Sequence, residues 1–283
     1  MDNSKHGFLK LGVSEPLIQA LLKERIETPT PIQAAAIPKI LAGADIIATA
    51  PTGTGKTLAY LLGILQRMEG NFAETVIVTP TPELAMQIAR VAGNLAKDAG
   101  LSFKSLGLVH GANPRRQTDK LKKEKPAILV GTPQRLREMI TKYGALKPVN
   151  TRFLVLDEFD LLLSPQHQDD TVSFIKLLDV SNLQILAFSA TSTTRAKEQL
   201  SFLKDFQRVD ISPASLSEKG AQRTAASHFY VVAPFREKLS KLKQLTHRLP
   251  INRGLVFMAE RSALDRALPK LAYEQIKVGI LSA

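Results

Sequence analysis

A glycine-rich segment that ends in a lysine and a threonine is the part of this sequence best suited to chemistry. It runs from Ala50 to Thr57 as Ala-Pro-Thr-Gly-Thr-Gly-Lys-Thr, between an apolar run and a helical pattern. Glycines let backbone N–H groups surround phosphate oxygens, and the start of the following helix favours an anion. Lys56 then supplies a positive charge, and the Thr57 hydroxyl can bind Mg²⁺. The segment predicts a nucleotide phosphate loop, although Ala50 replaces the usual first glycine and such a turn can form without a ligand.

Two adjacent acids form a second group suited to phosphate chemistry. Asp157 and Glu158 directly follow Phe153–Leu156, an apolar run typical of a buried strand. Beside a phosphate loop, one carboxylate can hold Mg²⁺ while the next orients or deprotonates the attacking water. We assign the metal to Asp157 and the water to Glu158. The alternative is an acidic helix N-terminus, which the helix dipole also favours.

Short apolar runs alternate with helix-like segments after the phosphate loop. The runs predicted to be strands are 75–79, 103–109, 127–130, 153–156 and 185–188. This alternation indicates a parallel sheet covered by helices on both faces, with ligands at the carboxyl ends of the strands. Polar clusters lie at those ends, at 79–81, 110–111, 131–133, 157–158 and 189–191. Each cluster taken alone could be only a turn.

The first 40 residues predict two helices, Glu15–Lys23 and Pro31–Leu41, joined by a proline-rich bend. Prolines forbid a continuous helix through the bend, and Thr30 is a suitable N-cap before Pro31 at the first helical position. On this local reading alone Gln33 would be an ordinary surface residue.

The pattern changes after Ile211, which divides the chain into a first domain at 1–211, a linker at 212–227 and an incomplete second unit at 228–283. The linker consists mainly of small and polar residues. In the second unit we predict strands at 229–232, 254–258 and 277–281, with helices at 235–248 and 261–273. More strands would be needed to cover the edge of such a sheet.

The composition is basic and free of cysteine. The net charge is +12, with 26 Lys and Arg against 21 Asp and Glu in residues 1–211 and 12 against 5 in 212–283. The run 115–125 holds six cations and two acids, and is either a polyanion-binding surface or a solvated helix face. With no cysteine, no signal-like N-terminus and no apolar run of membrane-spanning length, we expect a monomeric cytoplasmic protein.

The chain resembles a DEAD-box ATP-dependent RNA helicase of bacterial type over its whole length. The elements that carry the resemblance are Ala50–Thr57 (Walker A), Pro80–Ala85 (PTRELA), Gly111 with Gln117 (the glycine pair), Thr132–Arg135 (TPGR), Asp157–Asp160 (DEAD) and Ser189–Thr191 (SAT). Phe8 and the stretch that ends at Gln33 resemble the adenine-recognition motif. Among the departures, Pro82 replaces an arginine, Phe159 replaces the alanine of DEAD and Ile26 replaces an aromatic residue. These changes concern RNA contact and nucleotide affinity more than the groups needed for Mg²⁺ or water.

The resemblance implies an α/β fold, with a RecA-like P-loop domain and a partial second RecA-like domain, that uses ATP and Mg²⁺ and binds RNA by its backbone. The residues implied to bind nucleotide are Phe8, Ile26, Thr30, Gln33, Ala50, Pro51, Thr52, Gly53, Thr54, Gly55, Lys56 and Thr57, with Thr57 and Asp157 on the metal. Those implied in hydrolysis and its coupling to domain closure are Lys56, Asp157, Glu158, Ser189 and Thr191. Those implied to face RNA are Thr81, Gly111, Thr132 and Arg135. Asp160 is implied to link the ATP site to the 189–191 loop.

The function that the resemblance implies is an RNA-dependent ATPase that remodels short duplexes. The alternative is a hydrolysis-deficient module that binds ATP and RNA, whereas a DNA-directed P-loop motor fits the Gln33 motif less well. The arginine-bearing element of the family does not occur before Ala283, so we expect either a fragment or a natural truncation. Hydrolysis by these 283 residues alone is then expected to be slow and insensitive to RNA.

Overall fold

The structure, a computed structural model, describes residues 5–191, 200, 205–211, 229–250, 253–258, 260–274 and 276–279. It divides into two compact units, Met1–Gln222 and Arg223–Ala283. The predicted linker at 212–227 lies outside the described residues, so its conformation stays a prediction.

The first unit alternates strands and helices, as the sequence predicts. Its strands are β1 (Ile46–Thr49), β2 (Thr75–Val78), β3 (Ser105–Leu108), β4 (Ile128–Gly131), β5 (Phe153–Asp157), β6 (Gln184–Ser189) and β7 (Gln207–Asp210). Its described helices are α1 (Lys5–Lys10), α2 (Glu15–Lys23), α3 (Pro31–Leu41), α4 (Lys56–Leu65), α5 (Pro82–Asp98), α6 (Pro114–Glu124), α7 (Pro133–Thr141), α8 (Phe159–Leu162) and α9 (Gln168–Ile175). Helices α2 and α3 have the predicted bounds.

The strands form one seven-stranded sheet in the order β3-β4-β2-β5-β6-β1-β7, and every adjacent pair is parallel. All carboxyl ends therefore meet at one edge of the sheet. In register, Thr49 at the end of β1 lies between Ser189 of β6 and Asp210 of β7. This edge receives every loop that the sequence singles out.

Helices cover both faces of the sheet, so the strands are buried on both sides. Ile46 and Ala48 of β1 contribute to one apolar cluster, whereas Ile47 contributes to the other. This is the side-chain alternation of a strand, and both of its faces are apolar because both are covered. The α/β fold predicted from the sequence is confirmed.

The seventh strand was not predicted. In β7 only Val209 is buried, and the other three residues are exposed. An edge strand with one inward residue gives too short an alternation to be recognised as a strand from sequence. β7 nevertheless contributes to the structure around the phosphate loop, because the Thr49 hydroxyl donates a hydrogen bond to Asp210 next to that loop.

The second unit, taken by itself, contains α10 (Lys238–Arg248), a 3₁₀ turn before it at Phe235–Glu237, and α11 (Arg261–Tyr273). The helix predicted at 261–273 is confirmed, and the one predicted at 235–248 begins as a 3₁₀ turn. The predicted strands at 229–232 and 254–258 are not formed, nor is 277–279 of the third. A strand requires ladder hydrogen bonds to a neighbour, and these segments have none among the described residues. Phe229, Tyr230 and Phe257 are correspondingly exposed.

The helices in the described ranges include none that is both long and apolar enough to cross a membrane.

Candidate functional site

The phosphate loop joins the carboxyl end of β1 to the start of α4. Gly53 and Gly55 both have left-handed backbone conformations, with φ of 78° and 89°. A side chain at Gly55 would also collide with Gln33, because an added Cβ would lie 2.4 Å from the Gln33 amide nitrogen. Glycine is therefore required at this position both for its φ and for space.

Gln33 braces the phosphate loop from α3. Its side chain is only 2% exposed, and its Nε2 donates to the backbone oxygen of Gly55 over 3.2 Å. Its Oε1 accepts the backbone N–H of Thr30 over 2.9 Å, which satisfies one orphan donor at the helix start. Thr30 and Pro31 occupy the predicted N-cap and first helical positions. The alternative that Gln33 is an ordinary surface residue is therefore wrong.

The Lys56 ammonium is held within its own loop. Its Nζ donates to the backbone oxygens of Ala50 at 2.7 Å and Pro51 at 3.1 Å. Partial burial lowers the pKa of Lys56, and the carboxylates of Asp157, Glu158 and Asp160 oppose that shift. The structure thus brings the predicted phosphate-binding cation within electrostatic reach of both predicted catalytic acids.

Asp157 ends β5 and is almost completely buried. Its Oδ2 accepts the Tyr60 hydroxyl over 3.0 Å, and its Oδ1 accepts the backbone N–H of Glu158 over 3.1 Å. Burial raises the pKa of Asp157 to about 6, and the hydrogen bond from Tyr60 opposes the shift. A carboxylate whose charge is this poorly solvated gains strongly from a nearby cation.

Tyr60 is the functional residue that sequence reasoning missed. It lies on α4 one turn after Lys56, is fully buried, and packs edge-on against Phe188 of β6. Burial and then the Asp157 charge raise the pKa of Tyr60 well above its ordinary value, so it remains a hydrogen-bond donor. A buried tyrosine needs a partner for its hydroxyl, and that rule was the available signal.

Glu158 has an unusual backbone conformation. Its φ is +55°, in the left-handed region that non-glycine residues rarely adopt. Such strain is typically retained where the surrounding structure requires it, often in active sites. Burial and the neighbouring Asp160 raise the pKa of Glu158, whereas Lys56 opposes this shift. The left-handed turn ends β5 at Asp157, so Glu158 does not continue the strand.

The loop at 189–191 contacts both the phosphate loop and the acidic motif. The backbone N–H of Ala50 donates to the backbone oxygen of Ser189 over 3.1 Å. The Thr191 hydroxyl donates to Asp160, and the Thr191 N–H donates to the Ser189 hydroxyl over 3.1 Å. Asp160 of the acidic motif is therefore hydrogen-bonded to the 189–191 loop, which is the link that the resemblance implied.

Three of the residues expected to face RNA lie at the ends of the neighbouring strands β2, β3 and β4. Thr81 caps α5 by accepting the Leu84 N–H over 3.3 Å, with Pro82 in the first turn. Gly111 follows β3, is exposed, and has a φ of 86° with open space around it. Thr132 precedes α7, and its buried hydroxyl has no hydrogen-bond partner among the described residues.

Arg135 differs from its expected role. It was expected to face RNA, but its side chain is only 3% exposed. Its guanidinium donates to Gln117 at 3.0 Å, to Glu138 at 3.0 Å and to the backbone oxygen of Ala112 at 2.8 Å. Although burial raises the pKa of Glu138, hydrogen bonds from His110 and Arg135 lower it overall. The five donors of arginine suit it to joining several elements, and here it fixes α6 and the Gly111 loop to α7.

Three residues near the N-terminus contribute through packing. Phe8 is buried in the main apolar cluster, and its expected part in adenine recognition stays a prediction. Gly7 lets α1 approach the proline bend, because an added Cβ would lie 2.7 Å from Pro29. Ile26 is partly buried against the same cluster.

The donor set of the site fits Mg²⁺ held jointly by protein and nucleotide. Within the described ranges, no three His, Asp or Glu side chains are grouped so as to hold a metal themselves. Mg²⁺ commonly takes one or two protein oxygens and completes its coordination with phosphate and water. Asp157 and Thr57 both contact the Tyr60 hydroxyl, which places a carboxylate and an alcohol together beside Lys56.

Residues 30–200 match the sequence profile of the family described as DEAD/DEAH box helicase. The chain belongs to the DEAD/DEAH box helicase family. The matched range contains Gln33, the phosphate loop and the acidic motif.

Known proteins agree with this assignment. The chain is 37% identical over 257 residues to the protein named "Probable ATP-dependent RNA helicase YfmL" of Bacillus subtilis, covering 90% of this chain and 66% of that protein. It also resembles Dbp5 of S. cerevisiae, solved with RNA and ADP BeF3, with a TM-score of 0.82, 23% identity and coverage of 97% and 68% of the two chains. Mss116p, solved with ssRNA and AMP-PNP, gives a TM-score of 0.65 at 29% identity, with coverage of 74% and 45%. The chain thus spans about two thirds of the length of its curated relative.

Proposed function

We propose that the chain is the nucleotide-binding part of an ATP-dependent RNA helicase, an enzyme that couples ATP hydrolysis to the remodelling of short RNA duplexes. The observation that carries the proposal is the convergence of Lys56, Asp157 and Glu158 at the carboxyl ends of β1 and β5, the two strands that flank β6. Two comparisons support it: the relative from Bacillus subtilis is named a probable ATP-dependent RNA helicase, and Mss116p was solved with ssRNA bound.

In this proposal the chain's own groups divide the work. Gly53, Gly55 and the start of α4 surround the phosphates with N–H groups, and Lys56 moves its contacts from loop carbonyls to phosphate oxygens. Thr57 and Asp157 would hold Mg²⁺, which would supply neutralisation of phosphate charge when bound. Glu158, which follows β5 with a left-handed backbone, orients and deprotonates the water.

Adenine preference and RNA contact complete the proposal. Gln33 can offer an adenine edge its second amide hydrogen and its second oxygen lone pair, because each end of the amide makes one bond within the chain. Thr81, Gly111 and Thr132 contact the RNA backbone, whereas Arg135 orders the loops that carry them. Action as a monomer in the cytoplasm belongs to the same proposal.

Glu158→Gln tests the assignment. The purified chain should bind an ATP analogue in the presence of Mg²⁺, and the variant should bind it equally while hydrolysis falls roughly 10²- to 10⁴-fold, the usual contribution of a general base. Glu124→Gln, an exposed acid at the end of α6, is the matched control and should change neither property. Hydrolysis that survives in Glu158→Gln would remove Glu158 from the mechanism.

A comparison of ATP and GTP analogues tests the base preference. The unaltered chain should bind the ATP analogue more tightly. Gln33→Ala should reduce the difference, and its thermal unfolding must be followed because the same amide braces the loop. Equal affinities in the unaltered chain would contradict adenine recognition.

A further inference from the structure

Helix α6 presents a stripe of positive charge that the nucleotide site does not use. Arg116, Lys120 and Lys123 recur at intervals of four and three residues, which places them on one side of the helix, and all three are exposed. We call these three residues the basic face of α6. The buried side of the same helix is formed by Gln117 and Leu121, so the basic face cannot be covered by the sheet.

The charges of this face form no salt bridge within the described part of the chain. None of the six cations in 115–125 forms a salt bridge with any residue that the structure describes. Asp119 and Glu124 are exposed, and neither takes part in such a bridge. The whole cluster therefore keeps most of its positive potential for a partner outside the chain.

Helix stability does not account for this arrangement. Like charges four residues apart, such as Arg116 and Lys120, oppose helix formation. The first turn contains Arg115 and Arg116 and no acid, although the helix dipole disfavours cations there. The dipole explains only the lysines of the last turn, Lys122 and Lys123. Asp119 lies three or four residues from both arginines and Glu124 lies four residues from Lys120, so the two acids offset part of this cost. With six cations against two acids in 115–125, four cations remain in excess, and a partner outside the chain could use that excess.

The position of α6 is fixed relative to the loop that carries Gly111. Gln117 donates to the backbone oxygen of Val109 over 2.9 Å and accepts from Arg135 over 3.0 Å. Arg135 in turn donates to Ala112, immediately after Gly111. The buried pair of Gln117 and Arg135 thus holds the helix that carries the basic face next to the loop after β3, the outermost strand on this side of the sheet.

We infer that the basic face of α6 is an accessory RNA-backbone site, which binds the strand where it continues beyond the contacts at Thr81, Gly111 and Thr132. The inference rests on the proposed function, because it extends that RNA path. At a rise of 1.5 Å per residue, Arg116 and Lys123 lie about 10 Å apart along the axis, so the basic face is long enough to contact more than one phosphate of a strand. The contact is electrostatic and independent of base sequence.

The test replaces the three cations by glutamine in one variant, Arg116→Gln/Lys120→Gln/Lys123→Gln, since glutamine retains helix propensity. Binding of single-stranded RNA is measured over a range of salt, with oligonucleotides of roughly 5 and roughly 15 nucleotides. For the long RNA, the slope of log affinity against log salt should become shallower by about 2, with a loss of up to about 100-fold at 0.1 M salt. Affinity for the short RNA should change less than about threefold.

A charge-matched control separates a site from a general loss of charge. Lys97, Lys147 and Lys176 are exposed and precede strands β3, β5 and β6, so they lie at the amino end of the sheet. Lys97→Gln/Lys147→Gln/Lys176→Gln should retain the affinity and salt slope of the unaltered chain.

The outcomes distinguish the two proposals. If the unaltered chain binds neither RNA, the proposed function fails. If it binds RNA and the α6 variant binds the long RNA as tightly, or if both triple variants lose equally, the accessory site alone is overturned. Thermal unfolding of both variants must match that of the unaltered chain, and a variant that unfolds early is replaced by Lys120→Gln/Lys123→Gln, for which a slope change of about 1.4 is expected.

Discussion

The carboxyl edge of the sheet consists of two halves that are held together in different ways. The nucleotide half, at the ends of β5, β6 and β1, is held largely by its own loops: Lys56 contacts loop carbonyls, and Ala50 is hydrogen-bonded to Ser189. In the proposed RNA half, at the ends of β3, β4 and β2, one buried arginine, Arg135, joins the segments that follow β3 and β4. Strand order alone separates the two halves, because each set comes from neighbouring strands.

On the proposed function, this difference follows from what each half would bind. A phosphate loop must present backbone N–H groups and its own cation, so it depends on glycines and on short contacts within the loop. A surface for a long, uniform backbone needs exposed loops such as the one at Gly111, and an ordering side chain can lie beneath it. Arginine suits such a position by its geometry, five donors in a rigid fork, and its charge is not offered to the ligand.

The largest effect on stability is expected for Arg135→Ala, which removes the buried contacts in the RNA half. It leaves Glu138 and Gln117 without their buried partner, which should lower the free energy of unfolding by about 3–5 kcal/mol. Arg137→Ala on the same helix is the control, since the Arg137–Asp170 pair is half-exposed and should contribute less than about 1 kcal/mol. Denaturant unfolding measures both. Equal losses of unfolding free energy in the two variants would mean that the buried contacts of Arg135 contribute no more than a half-exposed ion pair.

Asp157→Asn should raise the free energy of unfolding, whereas Arg135→Ala lowers it, because the nucleotide half contains a charge that is costly to bury. The raised pKa of about 6 means that ionising Asp157 destabilises the fold, fully above pH 6 and not at all below the ordinary value near 4. Asparagine removes the charge and keeps one acceptor oxygen, which can accept the Glu158 N–H while its amide nitrogen donates to the Tyr60 hydroxyl oxygen. The substitution should therefore stabilise the chain by up to about 3 kcal/mol at pH 7.5.

The measurement is thermal unfolding at pH 7.5 and pH 4 without nucleotide or Mg²⁺, because either ligand would stabilise the ionised form. The gain should disappear at the lower pH. An Asn variant that is less stable than the parent at pH 7.5 would contradict the burial argument.

Tyr60→Phe should destabilise the nucleotide half by a smaller amount, about 1.5 kcal/mol, by removing a hydrogen bond to a charged acceptor. The effect should depend on that charge. In the background of Asp157→Asn the same substitution should cost less, and a double-mutant cycle measures the difference. Additive losses would show that the Tyr60 hydroxyl acts independently of the Asp157 charge.

The sequence predicted the parts of this comparison that depend on local pattern. The bounds of α2 and α3, the N-cap at Thr30 and the strand-end positions of the motifs follow from proline, capping residues and apolar runs. Contacts between distant elements could not be predicted. Whether Arg135 points outward or inward depends on Gln117 and Ala112, and the partner of Tyr60 is 97 residues away. β7 was missed for the same reason, because its single buried residue has meaning only beside β1.

Thr132→Val should give the smallest change in stability and so separate folding from binding. The Thr132 hydroxyl is buried without a partner in the described part of the chain, whereas the Thr81 hydroxyl caps α5. Removing an unpaired buried hydroxyl should leave the free energy of unfolding unchanged within about 0.5 kcal/mol or raise it. Thr81→Val is the contrast, and loss of its cap should cost about 1 kcal/mol.

The same substitution should weaken RNA binding, because the hydroxyl would meet its partner only on the RNA backbone. One neutral hydrogen bond contributes about 0.5–1.5 kcal/mol, so a loss of roughly 2- to 13-fold is expected for both short and long oligonucleotides. That pattern differs from the loss expected for the basic face of α6, which affects the long RNA alone. Fluorescence anisotropy with both RNAs, alongside denaturant unfolding, provides the test. If Thr132→Val lowers stability by more than about 1 kcal/mol and leaves RNA affinity intact, the hydroxyl has a structural partner and does not bind RNA.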